Sequence, residues 1–205
     1  MRHSATLTLS ILLGLLVSTA GARAAEAPPS VEVQIAAAVS PAPEPMRAGA
    51  TVLGYSAEGR LVTLREGEGH LICLADNPQE ERFHVACYYK ALEPFMLRGR
   101  ELRAQGLARD EVRRIRAEEI ESGKLAMPRQ PTALYSHTGP PGSFDPATGK
   151  VSGANHVYVV YIPYATAEST GLPSEPAVGT PWLMSPGTPW AHIMLVQPGE
   201  EPTEE

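Results

Sequence analysis

Cysteine and enzyme signature motifs are scarce in this sequence. Only two of its 205 residues are cysteines, and no C-x-x-C spacing indicates a zinc site or a thiol enzyme. The chain also lacks a G-x-S-x-G elbow, an H-E-x-x-H motif, a phosphate-binding glycine loop and a dinucleotide fingerprint. No local motif indicates an enzyme class, and we therefore favour a non-enzymatic protein.

Acidic residues outnumber basic residues, and no long apolar run follows the N-terminal region. The chain has 17 Lys and Arg against 23 Asp and Glu, a formal net charge of −6. This acidic balance disfavours nucleic acid and anionic lipid as partners. After residue 24, no apolar segment reaches the roughly 20 residues that a transmembrane helix needs. We expect no nucleic acid partner and no membrane span.

The first 24 residues have the pattern of a secretory signal peptide. A basic start at Arg2 precedes an apolar run over residues 9–17, and Ala22-Arg23-Ala24 fits an A-x-A cleavage site. The run is short for a bilayer span, and no cysteine follows it to accept a lipid. Cleavage after Ala24 removes two arginines and takes the net charge from −6 to −8. The pattern predicts an exported protein, periplasmic or secreted.

The two cysteines occur in a stretch, residues 70–89, that is typical of a β-hairpin. Cys73 and Cys87 lie the same number of residues on either side of Glu80, in the middle of the polar loop 77–82. In an antiparallel hairpin centred on that loop, the two cysteines face each other across the strands. Export to an oxidising compartment favours their oxidation. We predict a Cys73–Cys87 disulfide.

Apolar periodicity predicts a mixed α+β fold. Strands are expected over residues 51–55, 61–65, 70–74, 83–89, 156–163 and 190–196. The brief turns between the first four strands favour an antiparallel meander. Helices over 94–105 and 109–122 would form a two-helix hairpin packed on one face of this antiparallel sheet. Long Pro/Gly-rich loops, 129–155 and 164–189, complete the prediction.

Changes in composition divide the chain into four segments. Residues 1–24 are the signal peptide, and residues 25–49 are a Pro-rich N-terminal leader with a short helix that begins after Ser30. Residues 50–197 form a single α+β domain, and residues 198–205 are an acidic disordered tail.

Arginine is concentrated in the two predicted helices between residues 98 and 116. Acidic residues in the same stretch nearly cancel that charge, so we expect a solvated, salt-bridged face rather than an anion site. Glu119 points toward the apolar stripe between Ile115 and Ile120. Two interpretations stay open for Glu119: an intrahelical ion pair with Arg116, or a partly buried carboxylate with a raised pKa.

Three histidines of the C-terminal half suggest one possible metal centre. His137 is expected in a loop, and His156 and His192 lie near the starts of two strands. Three imidazoles, or two with a carboxylate such as Glu168 or Glu119, would form an open zinc site that activates a water. The alternative is that each histidine satisfies a backbone carbonyl at a strand end. No cofactor is otherwise expected.

Aromatic residues on stiff loops suggest a ligand site. Trp182 and Trp190 each follow a proline in a Gly/Pro-rich segment, and Tyr164 and Tyr158 come from a nearby segment. Flat rings held beside a rigid sheet can stack on a sugar or a peptide. The competing interpretation is that these rings pack inward as a small satellite core. We predict a ligand-binding surface at Trp182, Trp190, Tyr164 and Tyr158.

Several segments of the sequence resemble those of a group of uncharacterised exported bacterial proteins with no known activity. The segments are AGATVLGY with LREG, LEPFMLRGRELRAQG, YSHTGPPGS, YVVYIPYATAESTGL and PWLMSPGTPWAHIM, which are spread between residues 48 and 194. The resemblance implies export and assigns no catalytic residue.

Three functions are consistent with the sequence. The favoured one is a non-enzymatic exported binding or envelope-associated module that recognises a glycan or peptide of the cell envelope through the aromatic loop surface. The rival is a metal-dependent hydrolase that uses His137, His156 and His192 with zinc. The third is a structural envelope protein without a ligand.

Overall fold

The computed structural model describes residues 27–199. The predicted signal peptide, residues 1–24, lies outside this range, as do residues 200–205 of the predicted acidic tail. The helices are α1 (Val31–Val39), α2 (Glu44–Arg47), a 3-10 helix (Lys90–Leu92), α3 (Glu93–Ala104), α4 (Arg109–Glu121) and α5 (Ala167–Thr170). The strands are β1 (Thr51–Tyr55), β2 (Leu61–Arg65), β3 (Leu71–Leu74), β4 (Phe83–Tyr89), β5 (Thr132–Gly139), β6 (Phe144–Asp145), β7 (Lys150–Val151), β8 (Asn155–Tyr161), β9 (Trp182–Met184) and β10 (His192–Gln197).

One large sheet dominates the fold and confirms the α+β class. Eight strands pair in the order β2-β1-β3-β4-β5-β8-β10-β9, and the short β6 and β7 pair separately. All neighbours in the large sheet are antiparallel except β1 and β3, which are parallel. Within residues 27–199, no helix is long and apolar enough to cross a bilayer.

The first four strands do not form the predicted meander. β2 lies at the edge of the sheet, and β3 pairs with the other side of β1. The chain between β2 and β3 therefore has to cross close to the start of β1. An ideal Cβ on Gly67 would lie 2.3 Å from the carbonyl oxygen of Gly49, so only glycine permits this backbone approach. Gly67 is therefore required for the crossing that this strand order contains.

The cysteine hairpin is confirmed. Cys73 in β3 lies directly opposite Cys87 in β4, and the two form a disulfide with a sequence separation of 14. Both side chains are fully buried, where they pack with Val52 and Leu71 beneath α1. The disulfide therefore joins two central strands inside the core.

The segment predicted as an N-terminal leader supplies part of the core. Ser30 caps α1 through its side chain, and Ala37 and Ala38 are buried against the sheet. The buried amide of Gln34 donates to the Tyr55 carbonyl and accepts from the Tyr55 N–H. These paired hydrogen bonds attach α1 to the end of β1.

Helices α3 and α4 follow the predicted boundaries closely and lie on the sheet face opposite α1. Pro94 is in the first turn of α3, where its missing N–H costs nothing. Phe95 of α3 contacts the ring of Tyr161 from β8, with the ring centroids 6.2 Å apart. That the two helices form a hairpin stays a prediction.

The predicted long loop 129–155 instead contains three strands. β5 occupies residues 132–139 and pairs with both β4 and β8 in the middle of the sheet. β6 and β7 form a small hairpin whose turn begins at Asp145, and the Asp145 carboxylate accepts hydrogen bonds from Ala147 and Thr148. The sequence pattern of β5 was missed because Thr, Ser and Gly interrupt its apolar alternation.

Candidate functional site

The pairing of β5 with β8 brings two of the predicted metal-ligand histidines together. His137 lies directly opposite His156, with the ring centroids 4.4 Å apart. Ser40, at the C-terminus of α1, has its Oγ 3.1 Å from His137 Nδ1. His137 is therefore a strand residue rather than the predicted loop residue, and only 5% of its surface is exposed.

Burial keeps His137 uncharged at neutral pH. It lowers the pKa of His137 to about 4 because the imidazolium loses hydration, and the nearby His156 and Arg47 add electrostatic repulsion. A neutral imidazole that shares a hydrogen bond with Ser40 links α1 to the centre of the sheet. The hydrogen bond between His137 and Ser40 is therefore a polar contact inside the core.

The third histidine of the predicted zinc site lies elsewhere. β8 and β10 are antiparallel, so His156 is opposite Gln197 whereas His192 is opposite Tyr161 at the other end of the strands. His192 Nδ1 donates a hydrogen bond of 2.7 Å to the carbonyl oxygen of Trp190, as expected for a histidine at a strand end. The predicted convergence of His137, His156 and His192 is not found. Within residues 27–199, no three His, Cys, Asp or Glu side chains are grouped to hold a metal ion.

The four predicted ligand-binding aromatic residues lie in different places. Trp190 lines a cavity between the sheet and helices α3 and α4. Trp182, in β9, is only 8% exposed, while Tyr164 is 55% exposed and lines another cavity beside the end of α4. Tyr158 packs edge-to-face with its cross-strand partner Tyr135 on the α1 face. The predicted single aromatic surface is therefore divided, and the ligand role of each residue stays a prediction.

We call the cavity at Trp190 the Trp190 groove. Its volume is about 310 Å³, and its aromatic side is formed by Phe95, Tyr161 and Trp190. The Phe95 and Trp190 rings are stacked at 25°, with the centroids 6.2 Å apart. Burial raises the pKa of Tyr161 to about 12, so its phenol is protonated and can donate a hydrogen bond at neutral pH.

The groove is also cationic. Its lining includes four arginines, Arg103 from α3 and Arg109, Arg113 and Arg116 from α4. Among the described residues, no Asp or Glu lines the groove. Arg113 has a distant ion pair of 3.6 Å with the exposed Asp110, and within residues 27–199 the other three have no ion pair.

The remaining arginines of α3 and α4 are paired, as the sequence predicted for the whole set. Arg98 forms an ion pair of 2.7 Å with Glu119, and Arg100 forms one of 2.7 Å with Glu93. Arg114 pairs with Glu118 on the outer surface of α4 at 2.7 Å. The predicted salt-bridged face is therefore found for these arginines, whereas Arg103, Arg109 and Arg116 have no ion pair within residues 27–199.

Glu119 behaves differently from both sequence-based interpretations. Its carboxylate binds Arg98 of the neighbouring helix through three N–H contacts of 2.7–3.1 Å, and not Arg116 of its own helix. These hydrogen bonds lower the pKa of Glu119 rather than raise it. The contact between α3 and α4, which a single-helix analysis does not include, decides the partner.

Arg116 is the most constrained of the groove arginines. Its guanidinium lies 4.0 Å above the Phe95 ring centroid, and its Nη1 donates to the Phe95 carbonyl oxygen. Burial, and repulsion from Arg103 and Arg113, lower the pKa of Arg116 to about 10. An ideal Cβ on Gly99 would lie 2.9 Å from Arg116 Nη1 and 3.5 Å from Arg103 Nη1. The missing side chain of Gly99 therefore leaves room for the Arg116 guanidinium against α3.

The groove arginines had a weak signal in the sequence. Arg109, Arg113 and Arg116 are spaced by four and three residues, which places them on one face of a helix. Phe95 and Arg103 lie eight residues apart on α3, also on one face. Nothing in the sequence showed that these two faces meet each other and the end of β8.

A larger cavity of about 490 Å³ lies at the opposite end of the sheet, beside α1. Prolines and Phe83 line it together with the acidic residues Asp76, Glu80 and Glu81. Burial raises the pKa of Asp76, whose carboxylate accepts a hydrogen bond from the His84 N–H. This cavity is apolar with an acidic rim, whereas the Trp190 groove is aromatic and cationic.

No protein-family model, curated protein or solved structure gives a significant match to this chain.

Proposed function

We propose that this protein is an exported, non-enzymatic binding module that takes a ligand of the cell envelope into the Trp190 groove. The groove replaces the broader Trp182, Trp190 and Tyr164 surface that the sequence suggested. The glycan or peptide class of ligand is retained from the sequence-based prediction. An envelope-associated role fits the same ligand classes.

The observation that carries the proposal is the placement of Trp190. Its ring stacks on Phe95 at the edge of an open cavity, and Tyr161 completes the aromatic side. An aromatic group already held by neighbouring rings loses little conformational freedom when a ligand stacks on it, which favours binding. Polar groups at the opposite side would then orient the ligand.

Export is supported by two independent features. The N-terminal 24 residues have the charge, apolar run and A-x-A site of a signal peptide. The Cys73–Cys87 disulfide is compatible with an exported protein, because such bonds persist in oxidising compartments. The choice between periplasm and medium does not affect the groove.

The rival function, a zinc-dependent hydrolase, has less support than the binding module. His137 and His156 are paired beneath α1, but His192 is hydrogen-bonded to Trp190 at the other end of the strands. His137 is also buried, with a hydrogen bond to Ser40. An open metal site needs ligands that converge on a solvent-accessible position.

Single-tryptophan proteins test the binding proposal. Trp182→Phe leaves Trp190 as the only fluorophore, and Trp190→Phe leaves Trp182 as the matched control, since the chain has two tryptophans. Each mature protein is titrated with chitotriose, trialanine, glucuronate and glucose 6-phosphate while tryptophan emission is recorded. We expect a saturable change in the Trp182→Phe protein with at least one probe and none in the Trp190→Phe protein.

The interpretation of this titration depends on folding, which circular dichroism checks for each variant. If both folded variants respond equally, the ligand does not bind at Trp190 and the proposal is refuted. If neither folded variant responds to any probe, the proposal is also refuted, and a structural envelope protein becomes the preferred function.

A further inference from the structure

We infer that the Trp190 groove recognises an anionic sugar unit, whose carboxylate or phosphate contacts the groove arginines while its ring lies on the aromatic side. This inference rests on the proposed function, because it names the ligand class of the same groove. It makes the cationic side of the groove, rather than the aromatic side alone, the determinant of specificity.

The positive charges that line the groove favour an anionic ligand. Four arginines line a cavity of about 310 Å³ to which the described residues contribute no carboxylate. In the same two helices, three other arginines are balanced by acidic residues: Arg98 by Glu119, Arg100 by Glu93 and Arg114 by Glu118. An anionic ligand would remove the repulsion that the groove arginines exert on one another.

One of the groove arginines, Arg116, is also held in place before any ligand arrives. Arg116 is fixed by the Phe95 ring and the Phe95 carbonyl oxygen, and its buried Nε has no hydrogen-bond partner within the described residues. Arg103 lies beside it at Gly99. A planar guanidinium binds carboxylate or phosphate through paired N–H contacts, and a preorganised one loses little entropy when it does so.

The shape of the groove favours a sugar over an acidic peptide side chain. Its lining combines the aromatic residues Tyr161 and Trp190 with four arginines. A sugar acid or sugar phosphate presents an apolar ring face and a charged substituent at once, so it can contact both kinds of residue. Asp and Glu side chains carry the charge but have no flat face to stack. The cavity volume is at the lower end of the range for small-molecule sites, which suits a single sugar unit.

Four monosaccharides that share one ring and differ in charge test the inference. Glucuronate, glucose 6-phosphate, neutral glucose and cationic glucosamine are titrated against the folded Trp182→Phe protein at low salt. We expect at least one of the two anions to bind about tenfold or more tightly than glucose, because it gains charge-assisted hydrogen bonds. We expect glucosamine to bind more weakly than glucose. The ratio of the two anions distinguishes carboxylate from phosphate recognition.

Arginine variants show whether the preference arises in the groove. Arg103 and Arg109 are exposed, so Arg103→Gln and Arg109→Gln can be combined without disturbing the core. The matched control is Arg114→Gln, which removes a positive charge from the surface of α4 away from the groove. We expect the double variant to lower the affinity for the anions about tenfold and to leave that for glucose unchanged, while the control changes neither beyond about twofold.

Gly99→Ala provides a second variant that keeps every charge. Its Cβ would lie 2.9 Å from Arg116 Nη1 and would displace that guanidinium, while alanine is a better helix former than glycine. We therefore expect a folded protein in which the preference for the anion over glucose is reduced. An unchanged preference in this variant would show that the placement of Arg116 is irrelevant and would overturn the inference.

The remaining outcomes separate this inference from the proposed function. Equal binding of glucose and both anions at Trp190 would overturn the anionic specificity while the binding module stands. Tighter binding of trialanine or of a Glu-Glu-Glu tripeptide than of any sugar would overturn the sugar assignment and favour a peptide ligand. No response at Trp190 to any probe would overturn both.

Discussion

The buried histidine of β5 makes the stability of this protein dependent on pH in a predictable way. The pKa of His137 is about 4 in the folded chain against an ordinary value of 6.5, because burial, His156 and Arg47 all disfavour the imidazolium. Below pH 6.5 the unfolded chain binds a proton that the folded chain does not. The stability contribution of neutral His137 is therefore complete above pH 6.5 and is lost as the pH falls toward 4.

The size of the effect follows from the two pKa values. A difference of one pKa unit corresponds to about 1.4 kcal/mol, so the transition from pH 6.5 to pH 4 should lower the free energy of unfolding by about 3 kcal/mol. Histidines 84 and 192, whose pKa values burial also lowers, add losses of the same sign. A variant of His137 is therefore needed to isolate the part of this stability loss that His137 causes.

His137→Asn is the suitable perturbation, because the asparagine amide can replace Nδ1 in the hydrogen bond with Ser40 but does not titrate. Urea unfolding of both proteins is followed from pH 7.5 to pH 4, where the other histidines contribute equally to both. We expect the native protein to lose about 3 kcal/mol more than the variant over this range. Parallel pH profiles, or a His137 pKa near 6.5 by NMR titration, would refute the reasoning.

Two further predictions concern the disulfide and the contact between α3 and α4. Cys73→Ala combined with Cys87→Ala should lower the free energy of unfolding by about 3 kcal/mol, because the disulfide closes a loop with a sequence separation of 14 in the unfolded chain. Equal urea midpoints for the oxidised native protein and the double variant would contradict this. Glu119→Gln should cost about 1 kcal/mol by weakening the bidentate pair with Arg98, whereas Glu118→Gln on the exposed side of α4 should cost less. A larger loss in thermal stability for the Glu118 variant would show that the ion pair between the helices is not important.

Local patterns were enough to locate most elements. Pro94 and Gly106 bound α3 because proline fits only the first turn and glycine adopts the left-handed conformation beyond the last. The positions of Cys73 and Cys87 about one polar loop were enough to place them opposite each other, since register in a hairpin follows from counting residues outward from the turn. β5 was missed because Thr, Ser and Gly weaken its alternation, and its strand form depends on neighbours on both sides.

The candidate site was less accessible to sequence analysis than the fold. Trp190, predicted from the sequence to bind a ligand, lines a cavity, and its ligand role stays a prediction. Phe95 was not among the predicted site residues, because it looks like an ordinary core residue of α3. The histidine prediction failed at the strand order: β5 between β4 and β8 pairs His137 with His156 and leaves His192 at the opposite end of the sheet.

The sequence by itself determined what depends on short separations along the chain: the signal-peptide pattern, the boundaries of α3 and α4, the hairpin that joins the cysteines, and the acidic net charge. Only the tertiary structure decided which charges are neutralised and which remain facing a cavity. Arg98 and Arg116 have the same side chain, yet one meets Glu119 and the other the Phe95 ring. The physical reason is that an ion pair depends on a few ångströms of distance between elements, which no periodicity within one element specifies.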